Sequence, residues 1–217
     1  MITVALPKGR TLGATLDRFA RAGLVPEEDF STTRKLIVPA GGAQARFVLL
    51  KDPDVPLYVE RGAADLGVCG LDHVLESGAD LLVPIDLGFG ACRLSLAAPR
   101  ASAFVEGWHA GETGGAEVGR SVRVATKYPR LTARAFARRG VPVDIVRLSG
   151  SVELAAVANL ADAIVDLVET GRTLEQNGLA VVEDLLQVTA RLVVNRASYR
   201  LALEELLPVL ERLGAPA

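Results

Sequence analysis

Short, mostly apolar runs recur along the chain, each closed by glycine, proline or charged residues and followed by a stretch with helical spacing. Ile2–Leu6, Ala64–Cys69, Val122–Ala125, Val143–Leu148 and Ala163–Val168 have the length and boundaries of buried strands, with Asp166 the only interruption in the last. Lys35–Val38 and Ala45–Leu50 read as a hairpin joined through Gly41-Gly42, and Leu81–Pro84, Arg93–Ala98, Leu179–Val182 and Ala190–Asn195 complete the strands. Between them, Leu12, Leu16, Phe19 and Ala20 share one helical face behind Thr11 as cap, ending near Gly23. Further helices start around Pro56, Asp72, Pro129 and Val152, and an amphipathic helix from Ser198 to Leu213 closes the chain. Residues 107–119, GWHAGETGGAEVG, have no periodicity and read as an exposed loop, with Trp108 and His109 as packing contacts. Strands alternating with helices through short glycine turns predict an α/β chain with largely parallel sheets, where ligands bind beyond the carboxyl ends of the strands.

One of these strand ends has the residues of an anion site. After Ala163–Val168 come Glu169-Thr170-Gly171-Arg172-Thr173, and Thr173-x-x-Gln176 has the spacing of a capping box. The first turn of a helix offers unpaired N–H groups and partial positive charge, and Gly171 lets the backbone approach an oxygen-rich group. Asp166 lies two residues before the strand ends, within reach of sugar hydroxyls beside a phosphate. Ordinary helix capping fits the same turn. Two other strand ends have related chemistry: Lys8-Gly9-Arg10, which equally suits a solvated loop, and Ser149-Gly150-Ser151. His73 reads as a partly exposed helix residue rather than a catalytic one.

At 217 residues the chain suits one large domain or two small ones, burying roughly 70% of its unfolded surface without disulfide staples. Only 5% of residues are aromatic, so the core is built from Val, Leu and Ala. A formal charge of −2 argues against general nucleic-acid binding. Arg130, Arg134 and Arg138, four apart on one helix, are then a solvated face or a subunit contact. Cys69 and Cys92 belong to no CxxC or Cys/His cluster and are expected as buried thiols of a reducing compartment, with no metal site. The first apolar run stops at Pro7-Lys8, and no run approaches the ~18 residues of a membrane span, so a cytoplasmic protein without membrane attachment is expected.

Taken in order, ALPKGR at 5–10, DVPLYVERGAADLGVCGLD at 54–72, DLGFGACRL at 86–94, ATKYP at 125–129, LSGSVELA at 148–155, DAIVDLVETGRTLEQNGL at 162–179 and ARLVVNRAS at 190–198 resemble the ATP phosphoribosyltransferase family nearly end to end. The short form, without a C-terminal regulatory domain, is the nearer likeness. The resemblance implies a two-lobed fold like type II periplasmic binding proteins, with the active site in the inter-lobe cleft. Residues 1–90 plus 183–217 would form the nucleotide lobe, and 91–182 the phosphoribosyl pyrophosphate lobe. It implies that N1 of ATP displaces pyrophosphate from C1 of phosphoribosyl pyrophosphate, the first step of histidine biosynthesis. Mg²⁺ would bridge pyrophosphate oxygens through substrate and water. Implied partners are a second copy in a homodimer and a histidyl-tRNA-synthetase-like regulatory subunit in a hetero-oligomer.

By the same resemblance, Thr170, Gly171, Arg172, Thr173 and Leu174 hold the 5′-phosphate and Asp166 the ribose hydroxyls. Glu169 precedes that turn where the family often has a small residue, and its side chain is expected to turn away. Ser149, Gly150 and Ser151 are ligand contacts or helix caps. Lys8, Gly9 and Arg10 meet phosphates of ATP or the leaving group, with Lys8, Arg10 and Lys51 as the catalytic set, and Asp72 lies near the nucleotide. Lys51 stands where the family often has arginine, exchanging a forked donor for a point charge. A salvage-type phosphoribosyltransferase also uses a T-G-x-T turn, but usually with two adjacent acids, whereas Asp162, Asp166 and Glu169 are separated here. A solute-binding protein of the same fold leaves the phosphate turns unexplained.

Overall fold

The structure, a computed structural model, describes residues 1–41, 44–110 and 121–215. The chain runs through β1 (Ile2–Pro7), α1 (Leu12–Arg21), β2 (Ile37–Ala40), β3 (Ala45–Leu50), a 3-10 turn (Asp52–Asp54), α2 (Val55–Glu60), β4 (Leu66–Gly70), α3 (Leu71–Ser77) and β5 (Leu82–Asp86). It continues through β6 (Cys92–Pro99), α4 (Ala103–His109), β7 (Val122–Thr126), α5 (Pro129–Arg138), β8 (Val143–Arg147), α6 (Glu153–Val157), β9 (Ala163–Val168), α7 (Arg172–Gln176) and β10 (Leu179–Val188). It ends with β11 (Ala190–Val194), α8 (Arg196–Leu201) and α9 (Leu203–Gly214). Two compact units result: Met1–Ala91 with Thr189–Ala217, and Cys92–Val188. The second crossing thus follows Val188, whereas a boundary at 182/183 falls inside β10.

The first unit is a six-stranded sheet in the order β2-β3-β1-β4-β11-β5. Every residue of β1 is buried, as befits a strand covered on both faces, and it pairs in parallel with β3 and β4. On one face Phe19 of α1 meets Phe47 of β3 edge-on at 5.5 Å, with Leu206 and Leu213 of α9 in the same cluster. On the other, Val55 and Val59 of α2 pack on Ala5 and Val193. Arg18 of α1 donates to the Leu213 carbonyl at 2.7 Å, satisfying an orphan acceptor at the end of α9.

The second unit is a five-stranded sheet, β10-β6-β9-β7-β8. Trp108 of α4 and Phe136 of α5 cover one face, and Val152, Ala155 and Leu174 the other. The expected set of largely parallel sheets is corrected here, since both sheets are mixed. The β3-β1-β4 and β8-β7-β9 groups are parallel, while β2, β5, β11, β6 and β10 run antiparallel to the strands beside them. Helical crossovers enforce parallel pairing, whereas β6 and β10, which begin and end the second unit, pair side by side.

Local departures have identifiable causes. β10 is longer than the expected Leu179–Val182 because Glu183 and Asp184 are matched inside the strand. Glu183 accepts from Trp108 Nε1 at 2.9 Å and pairs with Arg139 at 2.8 Å, while Asp184 accepts from Ser95 Oγ at 2.7 Å. Gly107, Trp108 and His109 belong to helix α4 rather than an exposed loop, and Trp108 is buried beneath Arg139 as a packing contact. Residues 111–119 of that expected loop lie outside the described residues. β2 starts at Ile37 rather than Lys35, and the closing helix is split at Ala202 (φ −124°) into α8 and α9. Cys69 is buried as expected, but Cys92 is half-buried. Among the described residues, no helix is long and apolar enough to cross a membrane.

Candidate active site

In the second unit, the parallel strands β8, β7 and β9 end together, setting the turns after Arg147, Thr126 and Val168 along one edge. The turn after β9 is a glycine turn. Gly171 has φ +82°, a left-handed conformation open to glycine at little cost, and it serves as the N-cap of α7. The capping box expected from Thr173 to Gln176 does not form, because α7 starts at Arg172 and Thr173 lies within its first turn. The amides of Arg172, Thr173 and Leu174, in that turn, have no intrahelical acceptor. Thr170, Arg172 and Thr173 are exposed, and so is Glu169. Leu174 is only 7% exposed and packs with Val152 and Leu179, so it anchors the turn and can meet a ligand only through its backbone.

Asp166 stands on β9 beside this turn. Its Oδ1 accepts from the Leu167 amide at 2.7 Å and pairs with Lys127 Nζ at 3.0 Å. Lys127 follows β7 and lies outside the set of site residues expected from the sequence. Its only sequence signal is a basic residue immediately after a strand end, in Thr-Lys-Tyr-Pro. The β7 end is fixed by Thr126, whose buried hydroxyl donates to the Val165 carbonyl at 2.7 Å and accepts from the Tyr128 amide at 2.8 Å. Ser149, Gly150 and Ser151 are exposed after β8. Neither serine caps α6, whose N-cap is Val152, and Ser151 holds φ +48°, a conformation uncommon outside glycine and asparagine. Asp162 instead has a structural role, binding Arg123 at 2.8 Å and raising that guanidinium further above its usual range.

The first unit has a matching edge. β3, β1 and β4 are adjacent and parallel, so Lys51, Lys8-Gly9-Arg10 and Leu71-Asp72 follow neighbouring strand ends. The Lys8 amide donates to the Leu50 carbonyl at 2.6 Å, tying two of these turns together. Lys8, Gly9, Arg10 and Lys51 are exposed, and Gly9 adopts φ +111°. Asp72 instead lies beneath the surface, 1% exposed, with its Oδ2 3.5 Å from His73 Nε2. Asp52, absent from the sequence-derived set, has its Oδ1 buried without a hydrogen-bond partner. Burial raises its carboxyl above the ordinary range and the Asp72 charge adds to this, against the lowering effects of His73 and Arg10. Burial likewise pushes the Cys69 thiol far up, with Asp72 and Asp52 adding to the shift, which leaves it unreactive. Among the described residues, no three His, Cys, Asp or Glu side chains are grouped to hold a metal ion.

A model of the ATP phosphoribosyltransferase family matches residues 51–215. The chain is 45% identical over 219 aligned positions to an ATP phosphoribosyltransferase of Acidithiobacillus ferrooxidans, covering 99% of this chain and 98% of that one. The ATP phosphoribosyl transferase (HisG:HisZ) complex from Thermotoga maritima contains a chain of similar structure, with TM-score 0.81 at 34% identity, covering 98% of this chain and 96% of that one. The periplasmic VFT2 domain of Bordetella pertussis BvgS matches at TM-score 0.57 and 14% identity over 98% of this chain and 86% of that one, a likeness of fold alone.

Proposed function

We propose, for a chain that belongs to the ATP phosphoribosyltransferase family with a periplasmic-binding-protein-like fold, that the two strand-end edges are its two substrate sites. The enzyme is a pentosyltransferase of histidine biosynthesis, joining N1 of ATP to C1 of phosphoribosyl pyrophosphate and releasing pyrophosphate. On this reading the unit of residues 92–188 takes phosphoribosyl pyrophosphate. Thr170, Gly171, Arg172, Thr173 and the Leu174 amide receive the 5′-phosphate, Asp166 the ribose hydroxyls, and Ser149, Gly150 and Ser151 line the neighbouring turn. Glu169 borders the phosphate turn with its carboxylate directed away. The other unit takes ATP along Lys8, Gly9, Arg10 and Lys51, with Asp72 buried behind them. The observation that carries the assignment is the left-handed Gly171 between two exposed threonine side chains, at the end of a strand that also presents Asp166.

The chemistry asks little covalent work of the protein. As the C1–O bond to pyrophosphate lengthens, positive charge grows on the ribosyl centre and negative charge on the leaving group. Thr170–Leu174 and Asp166 fix the ribose from its 5′ and hydroxyl sides, so C1 is presented in one orientation. Lys8, Arg10 and Lys51 supply fixed positive charge for phosphate oxygens as pyrophosphate departs. The substrates' own phosphate oxygens, with water, suit Mg²⁺, which when bound would neutralise pyrophosphate charge. The Thermotoga complex supports a hetero-oligomer of this chain with a regulatory subunit, and both substrates point to the cytoplasm.

The test is an assay of the purified chain with ATP, phosphoribosyl pyrophosphate and Mg²⁺, following N1-phosphoribosyl-ATP. Thr173→Ala is expected to raise the KM for phosphoribosyl pyrophosphate about ten- to a hundredfold, the effect of one charge-assisted hydrogen bond, with an unchanged circular dichroism spectrum. An unaltered KM removes the turn from the site.

A further inference from the structure

Resting on the reading of residues 92–188 as the phosphoribosyl pyrophosphate unit, we infer that Lys127 is a positioning residue for that substrate. It holds Asp166 for the ribose and adds a positive charge beside the phosphates. The inference starts from which carboxylate oxygen is occupied. The Leu167 amide at 2.7 Å and the Lys127 ammonium at 3.0 Å both fall on Oδ1 of Asp166, and neither bond involves Oδ2. The amide's hydrogen bond and the ammonium's charge both act on Oδ1, and Oδ2 is left to accept from a hydroxyl. Without Lys127 only the amide would restrain the carboxylate, and its charge would stand uncompensated.

The sheet makes this pair specific. Thr126 of β7 pairs with Val165 of β9, so the residues that follow, Lys127 just beyond the end of β7 and Asp166 on β9, come side by side. Thr126 locks that register with its hydroxyl on the Val165 carbonyl. Lys127 is therefore set beside the middle strand end of the edge, between the serine turn after β8 and the glycine turn after β9. An ammonium has three donors. Its ion pair with Asp166 leaves the side chain 39% exposed, so the ammonium stays open to an anion at this edge. The pair also answers an electrostatic problem, because a lone carboxylate next to a site for a highly charged anion would repel it. Lys127 cancels that charge while keeping the oxygen as an acceptor. As a half-exposed ion pair, its removal should affect folding little.

Titration calorimetry with phosphoribosyl pyrophosphate, alongside steady-state kinetics, tests this on the full chain. Lys127→Met is expected to weaken phosphoribosyl pyrophosphate binding and raise its KM about ten- to a hundredfold, leaving the KM for ATP within about twofold. Lys127→Arg, which keeps the charge, should recover most of the loss. In a double-mutant cycle with Asp166→Asn, the two losses should be well short of additive, since each substitution breaks the same pair. Binding by Lys127→Met equal to wild type, or equal losses for both substrates, overturns the inference. If Lys127→Met melts well below wild type, the Arg variant decides: wild-type stability without recovered affinity also overturns it. Absence of binding to the wild-type chain would instead strike the underlying site assignment, as would a Thr173→Ala variant that binds normally.

Discussion

At the scale of single residues, the site divides into groups visible from local sequence and groups that exist only through pairing. The glycine turn was legible because strand, turn and helix start are contiguous from Ala163 to Gln176. Its cap was misread for an equally local reason: a Thr-x-x-Gln spacing competed with a glycine already able to take the left-handed conformation, and the glycine starts the helix earlier. Lys127 was not legible as part of the site, since its partner Asp166 is brought beside it by strand register. Asp52 was hidden in the same way, its environment being set by His73 and Asp72 beyond the next strand. Its raised carboxyl has a stability consequence. The folded protein holds that proton more tightly than the unfolded chain, so the stabilisation is full below the unfolded pKa near 4 and is lost as pH rises through the folded value. Asp52→Asn should therefore raise the melting temperature at pH 7. The advantage should vanish below about pH 4. Melting curves from pH 3 to 8 measure it directly.

At the scale of elements, hydrophobic runs located most strands, whereas direction depended on what the sequence does not display. β11 contains the same kind of apolar run as β4, yet lies antiparallel to it. Helix placement on the sheet is equally exacting. Gly67 sits in β4 beneath α2, and a Cβ there would come within 2.7 Å of both Val55 Cγ1 and Val59 Cγ2, with Val193 Cγ2 at 3.3 Å behind. Two branched side chains cannot both yield inside a packed core. Gly67→Ala should destabilise the protein by about 1–3 kcal/mol, read from the urea midpoint. Because α2 follows directly on Lys51 and the Asp52–Asp54 turn, the same variant should raise the KM for ATP more than that for phosphoribosyl pyrophosphate.

At the scale of the whole molecule, the two units report separately. The chain's single tryptophan, Trp108, lies within residues 92–188, buried against Phe136 and under the Arg139 guanidinium at 4.4 Å. Its fluorescence follows that unit, while far-ultraviolet circular dichroism follows both. A ligand that binds only the native state stabilises by about 2.7 kcal/mol at a hundredfold excess over Kd. Phosphoribosyl pyrophosphate at that excess should move the fluorescence transition to higher urea, and ATP should move it less. Equal shifts from the two ligands would argue against dividing them between the units.

The path of the chain through its two units also orders its birth. Cys92 pairs with Val188, so the second unit is complete once residue 188 has been made. The first unit is not, because β11 belongs between β4 and β5, and both strands wait for residues 190–194. On the ribosome the unit encoded in the middle of the message is thus able to close first, while the one encoded at the beginning must wait for the end with two strand edges open. A stalled or truncated nascent chain would carry a finished unit of residues 92–188 together with an adhesive, unfinished sheet, and chaperone demand should peak in that interval.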